Sequence, residues 1–331
     1  MIRVLVSICL LILATQTTFS QTMNVHTGET TTNFELTEID SITFTLDEPL
    51  TFPVDEEVFL NRTFERCEGI SFSHEGELYV AGNAALWHVT TEGVRTQVTT
   101  AYSNLGLAPT GDRDILFADF GPTNAFNHGY NRDGIVWHVT PEGVRTVAAD
   151  GMGDPNFVLK LEDGRFLVSD DATDEIWVVE DGVATIFTQA VNHPNGMVIS
   201  QDGEWLYVAQ MFRAISPTWV LDGSLWAIQL VDGQPSGEPI EVANLGDSAG
   251  LDGLAMDVFG RIYVACWNTG EIWRFNPDND ELILICEGLS GVASLSFGRG
   301  EFDNNAIYAT STLQGTVWKI PVGVEGAELH R

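Results

Sequence analysis

Leu251-Asp252-Gly253-Leu254-Ala255, then Ile262-Tyr263-Val264-Ala265, then Ile272-Trp273 follow one another within residues 251–273. Gly260 punctuates the first gap and Asn268-Thr269-Gly270 the second. Apolar runs this short, rich in β-branched and aromatic residues and bounded by turn formers, are strands and not helices. The middle run has counterparts along the chain: Leu78-Tyr79-Val80-Ala81, Ile115-Leu116-Phe117-Ala118, Phe166-Leu167-Val168-Ser169, Leu206-Tyr207-Val208-Ala209 and Ile307-Tyr308-Ala309. A tryptophan follows each copy, at positions 87, 137, 177, 226, 273 and 318, spaced by 50, 40, 49, 47 and 45 residues. Repeats of about 40–50 residues built from short strands are propeller blades. The expected fold is all-β, a six-bladed β-propeller with four-stranded blades around a central channel. Little chain follows Trp318, so residues 50–60 are expected to supply the last blade's fourth strand and close the ring. The tryptophans read as packing between blades.

The remaining composition agrees with this reading. Glycine contributes 32 of 331 residues, above the usual ~7%, as many tight turns require. The 47 acidic and 15 basic residues give a formal charge of −32, which repels nucleic acid and anionic lipid surfaces. Arg3 and the apolar run from Val4 to Ala14, followed by Thr18-Phe19-Ser20, form a signal-peptide pattern too short to span a bilayer. The expectation is a signal peptide over residues 1–20, cleavage before Gln21, an appendage over residues 21–50 and the propeller over 51–331. The mature protein is then secreted, extracellular or periplasmic, with no membrane insertion. Cys67, Cys266 and Cys286 remain after cleavage; they allow one disulfide at most, in a pairing the sequence leaves open.

Four polar residues stand out. Glu68, Asn156, Asn195 and Asp252 each lie eight residues before a turn glycine, Gly76, Gly164, Gly203 and Gly260. That shared offset puts each at the start of an innermost strand and all four at one mouth of the channel. Asn and Asp also serve strand-entry turns, but turn chemistry alone does not account for a glutamate in the same register. Two carboxylates and two amide carbonyls form an all-oxygen donor set for one divalent cation. Ca2+ suits it best, because it accepts 6–8 oxygen ligands in flexible geometry; Mg2+, Mn2+ and Zn2+ are the alternatives. Blades two and six offer Asn104, in a shifted register, and Ser294.

Cys67-Glu68-Gly69-Ile70, His193-Pro194-Asn195-Gly196-Met197 with Asp202-Gly203, and Leu251-Asp252-Gly253-Leu254-Ala255 resemble the gluconolactonase/regucalcin (senescence marker protein-like) family of six-bladed propellers. More distantly the chain is similar to paraoxonases and strictosidine synthase-like proteins. The resemblance, over about residues 64–327, implies a calcium-type cation held by Glu68, Asn156, Asn195 and Asp252. It also implies lactone hydrolysis, with Asp252 as general base. Regucalcin-like sugar lactonases carry an arginine two positions before the blade-three asparagine, where this chain has Asp154, which counts against a sugar-acid lactone. Phe157 stands where many relatives have aspartate, and favours a less polar lactone or ester.

Two insertions, residues 120–134 and 211–223, fall between second and third strands and so emerge at the same mouth. They are expected to form lids, bringing His128 and Trp219 to the substrate beside Asn104 and Phe157. No Gly-x-Ser-x-Gly elbow supports a serine hydrolase. The rival class is a non-enzymatic, calcium-stabilised propeller that binds a protein or glycan, since a fold does not fix a function.

Overall fold

A computed structural model of the chain describes residues 22–27, 30–35, 50–123 and 131–329. It divides into two compact units, residues 1–49 and 50–331. In the first, Thr22–Thr27 and Thr30–Glu35 pair as an antiparallel hairpin. The signal segment and His128 lie outside the described residues.

The second unit contains six four-stranded antiparallel sheets and one two-stranded sheet, and the described residues contain no helix. The innermost strands of blades one to six are Cys67–Phe72, Leu107–Thr110, Pro155–Lys160, Pro194–Ile199, Leu251–Met256 and Val292–Phe297. The second strands are buried along their length, as in Leu78–Gly82, Phe166–Asp170 and Ile262–Cys266. A strand covered on both faces reads as a continuous apolar run instead of an alternating one, which is why these segments dominate the sequence.

Each of the six tryptophans sits opposite the middle of a second strand: Trp87 on Val80, Trp137 on Phe117, Trp177 on Val168, Trp226 on Val208, Trp273 on Val264 and Trp318 on Ala309. Three indole N–H groups donate to the end of that strand, Trp87 to the Gly82 carbonyl at 2.8 Å, Trp137 to Asp119 at 2.9 Å and Trp226 to Gln210 at 2.7 Å. The guanidinium groups of Arg95 and Arg145 stack on Trp87 and Trp137 at 4.9 and 4.4 Å. The tryptophans are scaffold. The ring closes as expected, because Glu57–Leu60 pairs with Val317–Pro321 to complete blade six.

Around the channel the inner strands nearly touch. A Cβ added at Gly253 would stand 2.7 Å from the Ala293 carbonyl oxygen, and one at Gly106 2.5 Å from that of Asn156. Gly69 and Gly196 face the carbonyls of Leu105 and Asp252 more closely still. These contacts define a ring of six equivalent positions: Glu68, Leu105, Asn156, Asn195, Asp252 and Ala293. At five of them the inner strand's pairing with its neighbour is interrupted, between 67 and 70, 155 and 158, 194 and 197, 251 and 254, and 292 and 295. The interruption releases the side chain toward the axis. Blades two and six therefore contribute Leu105 and Ala293 to the ring, and neither Asn104 nor Ser294.

Gly69→Ala is expected to cost about 2–3 kcal/mol, the scale of overpacking against a fixed backbone, measured by urea denaturation. A loss below ~0.5 kcal/mol would mean the inner strands can separate.

Candidate metal centre and active site

The ring brings Glu68, Asn156, Asn195 and Asp252 to one level of the channel. Asn156, Asn195 and Asp252 are 5%, 2% and 4% exposed, and Glu68 is half-buried toward the lumen. Asn156 Nδ2 donates a hydrogen bond to Glu68 Oε1 at 3.3 Å. The main chain beneath Glu68 is fixed twice. Its carbonyl accepts from the Thr310 hydroxyl, and the following Gly69 N–H donates to the Asn104 carbonyl at 3.0 Å.

A fifth polar residue joins them that the sequence reading did not include. Asp171, 5% exposed, directly follows the second strand of blade three. Its Oδ2 accepts from the same Asn156 Nδ2 at 3.0 Å. Behind it Asp154 and Asp170 are fully buried. The sequence signal was the adjacent pair Asp170-Asp171 at the end of a buried apolar run.

The electrostatics are those of crowded carboxylates in a desolvated place. Burial pushes Glu68 from its ordinary value near 4.5 up to about 7, against the opposing hydrogen bond from Asn156. Burial first, then the charge of Glu68, holds Asp252 well above the usual carboxylate range. Asp171 is raised by burial and then by Glu68, Asp170, Asp154 and Asp252. Asp170 is pushed up to about 7 by burial and the Asp154 charge. Like charges in a low-dielectric site favour either protons or a cation.

Whether the residues fit a cation can be judged from their atoms. Among the described residues no three His, Cys, Asp or Glu side chains stand in metal-binding geometry. Two of the donors, however, are amides. Asn195 Oδ1 is buried with no hydrogen-bond partner among the described residues. Turning the Asn156 amide over would present its oxygen where its NH2 now faces two carboxylates. The donor set is all oxygen, as a hard cation requires, and the residues fit.

The other expected contacts are distributed more widely. Asn104 points back into the scaffold, where its Oδ1 accepts from the Ala84 N–H. Phe157 packs at the junction of blades three and four and lines an apolar cavity of about 150 Å³ in the channel, with Leu107, Met197 and Leu254. Trp219 is 63% exposed on the hairpin of Phe212–Ala214 with Val220–Leu221 and meets Phe212 edge to face at 5.5 Å. That insertion has its own small core of Met211, Phe212 and Ile215 against Ala172. Beside it a recess of about 510 Å³ is lined by Arg132, Thr173, Glu175, His193, Arg213 and Ile215. Arg132 is held by Glu175 at 2.8 Å, and Arg213 by Asp222 at 3.0 Å and Asp247 at 2.7 Å. Of the lid expected at residues 120–134, residues 124–130 lie outside the described residues. Asp119 serves the fold, accepting from Tyr102, Ser103 and Trp137. Cys67, Cys266 and Cys286 are free and buried. Burial lifts Cys67 to about 12 and Cys286 to about 11, which removes them as nucleophiles.

Known proteins bear out the resemblance read from the sequence. Residues 172–313 match the family described as SMP-30/Gluconolactonase/LRE-like region. The chain is similar to a calcium-binding regucalcin from Agrobacterium tumefaciens, with a TM-score of 0.67 at 18% identity over 85% of this chain and 99% of that one. A gluconolactonase from Xanthomonas campestris superposes with a TM-score of 0.63 at 16% identity, over 80% and 88% of the two chains. A luciferin-regenerating enzyme gives 0.63 at 13% identity, over 83% and 99%. No curated protein sequence matches the chain. At these identities the structures establish the six-bladed propeller fold.

Because Glu68 has its proton affinity raised in the folded state, its contribution to stability is full below pH ~4.5 and is lost as pH rises through about 7. Chelator-treated protein should therefore melt at progressively lower temperature between pH 5 and 8, and Glu68→Gln should flatten that slope. Equal slopes for the two proteins would show that Glu68 is not desolvated.

Proposed function

We propose that this chain is an exported hydrolase of lactones or related esters that depends on one divalent cation, calcium by preference. Glu68, Asn156, Asn195 and Asp252 hold the cation. The observation that carries this reading is the ring itself: two carboxylates and two amides at one level, mutually repelling and buried, with the Asn195 oxygen lacking a partner among the described residues. The family matched by residues 172–313 and the regucalcin and gluconolactonase neighbours support a lactonase-type propeller.

The bound cation supplies polarisation of the substrate carbonyl, lowering the energy of the charge that develops on its oxygen. Asp252 takes the proton from the attacking water. Glu68 and the amide of Asn156 fix the donor geometry. Asp154 is fully buried, so no positive charge from that position meets a sugar acid, and the apolar Phe157 directly follows Asn156. The preferred substrate is therefore a lactone of low polarity. Signal-peptide cleavage before Gln21 delivers the mature protein outside the cytoplasm.

Proton release from aliphatic, aromatic and sugar lactones, measured by pH-stat, should occur with Ca2+ and fall to background with chelator. Asp252→Ala should lower kcat by at least ~100-fold, the usual scale for a general base, with the fold intact by circular dichroism. Absence of hydrolysis from calcium-loaded protein would favour the binding platform. Asn195→Ala should weaken Ca2+ binding roughly tenfold by isothermal titration calorimetry. An unchanged affinity would remove Asn195 from the donor set.

A further inference from the structure

We propose that the half of the channel away from the ring binds a small monocarboxylate with an apolar body. The body fills the cavity below the ring, and the carboxylate meets Lys160 and Arg299 at the opposite mouth. The inference is independent of the cation site and uses none of its residues.

The cavity is the first observation. It measures about 150 Å³ and is walled on blades two to five by Leu107, Phe157, Met197 and Leu254. The hydroxyls in the wall, those of Ser71, Ser294 and Ser296, are on blades one and six. Protein interiors hold few voids larger than a water molecule. An apolar void near ~150 Å³ stays dry and takes a benzene-sized guest.

The second observation is the placement of positive charge. The ring residues open the inner strands, whereas Lys160 ends that of blade three and Arg299 follows that of blade six by two residues. Four residues of strand separate Lys160 from Asn156, roughly 13 Å of chain. The sequence has 15 basic residues against 47 acidic ones, and Lys160 is one of two lysines. Two of those few cations line one small cavity, together with a single carboxylate, Glu328.

The third is that neither cation has a carboxylate partner. Among the described residues the basic side chains other than histidine in ion pairs are Arg113, Arg132, Arg165, Arg213, Arg261 and Lys319. Lys160 Nζ instead donates to the Gly164 carbonyl, and Arg299 Nη2 to the Ala327 carbonyl. Burial lowers the proton affinity of both, against the charge of Asp163 for Lys160 and of Glu328 and Glu325 for Arg299. Half-buried cations held by neutral oxygens keep further N–H groups for an anion. The end of the chain shapes the way in. Ala327 N–H donates to the Met256 carbonyl at 2.9 Å and Val258 N–H to that of Glu325 at 3.0 Å. Residues 327–329, with Ile199 and Met256, thereby line both the cavity and an adjoining groove of about 630 Å³.

The test titrates benzoate, benzyl alcohol and acetate at neutral pH into the purified protein, stripped of metal and desalted, with saturation-transfer NMR as the readout. Benzoate should bind roughly tenfold more tightly than either of the others, because it alone carries both ring and charge. Lys160→Met and Arg299→Gln should each weaken benzoate roughly tenfold and leave benzyl alcohol unchanged. Glu328→Gln should strengthen benzoate, since a like charge leaves the mouth. Ser296→Phe, at a half-buried position, should fill the cavity and exclude both aromatic probes. Benzoate that binds no better than acetate would overturn the site. So would an affinity that Lys160→Met leaves untouched while melting curves show both proteins folded. Benzoate binding lost instead in Arg213→Gln would put the anion in the recess at the ring mouth and overturn the proposal as well.

Discussion

The inner strands of neighbouring blades pass so close that a single methyl group would collide with the next strand's carbonyl. Everything at the channel mouth depends on that approach. Glycine follows three of the four donors, as Gly69, Gly196 and Gly253, because only a residue without a Cβ lets the strands come together at the level where the donors face the axis. Five interruptions in strand pairing then turn the ring side chains inward. Among the four polar positions blade three departs from the pattern, since Phe157 stands where the other three have glycine. Its ring fills the junction with blade four, and the recess lined by Thr173, Glu175, His193 and Arg213 opens at the mouth of the same junction.

The second organising fact is charge. A scaffold that needed only to close a ring could have placed apolar residues at all six positions, as it does with Leu105 and Ala293. Instead four of the six are polar, and three further aspartates, Asp154, Asp170 and Asp171, crowd behind one of them. Burial raises the proton affinity of Glu68, Asp170, Asp171 and Asp252 together. That arrangement works against the stability of the protein by itself above neutral pH. Packing alone does not account for it.

Much of this was legible in the sequence, for reasons that can be stated residue by residue. The blades were visible because their second strands are buried on both faces and the tryptophans keep one register. The four polar ring residues were visible because each is tied to a turn glycine by a strand of fixed length. Asp171 showed in the sequence only as half of the pair Asp170-Asp171, since its contact with Asn156 crosses from the second strand's end to the inner strand's start and no spacing rule links the two. Asn104 failed to reach the channel by one residue: Leu105 holds the ring position, and the polar neighbour turns back to fasten Ala84. The opposing wall of the recess depends on how the 211–223 insertion folds on its own small core, which periodicity does not describe.

The pairing of Glu57–Leu60 with Val317–Pro321 joins segments from opposite ends of the propeller. Until the final blade exists, the early segment has no mate, and the nascent polypeptide presents an open β-edge to every other copy around it. Such edges invite aggregation unless something of like sign guards them. Asp55, Glu56 and Glu57 stand at this edge, all exposed. The same acidity that leaves the finished surface well solvated thus gives each unfinished chain a reason to wait for its own C-terminal half instead of recruiting a stranger's.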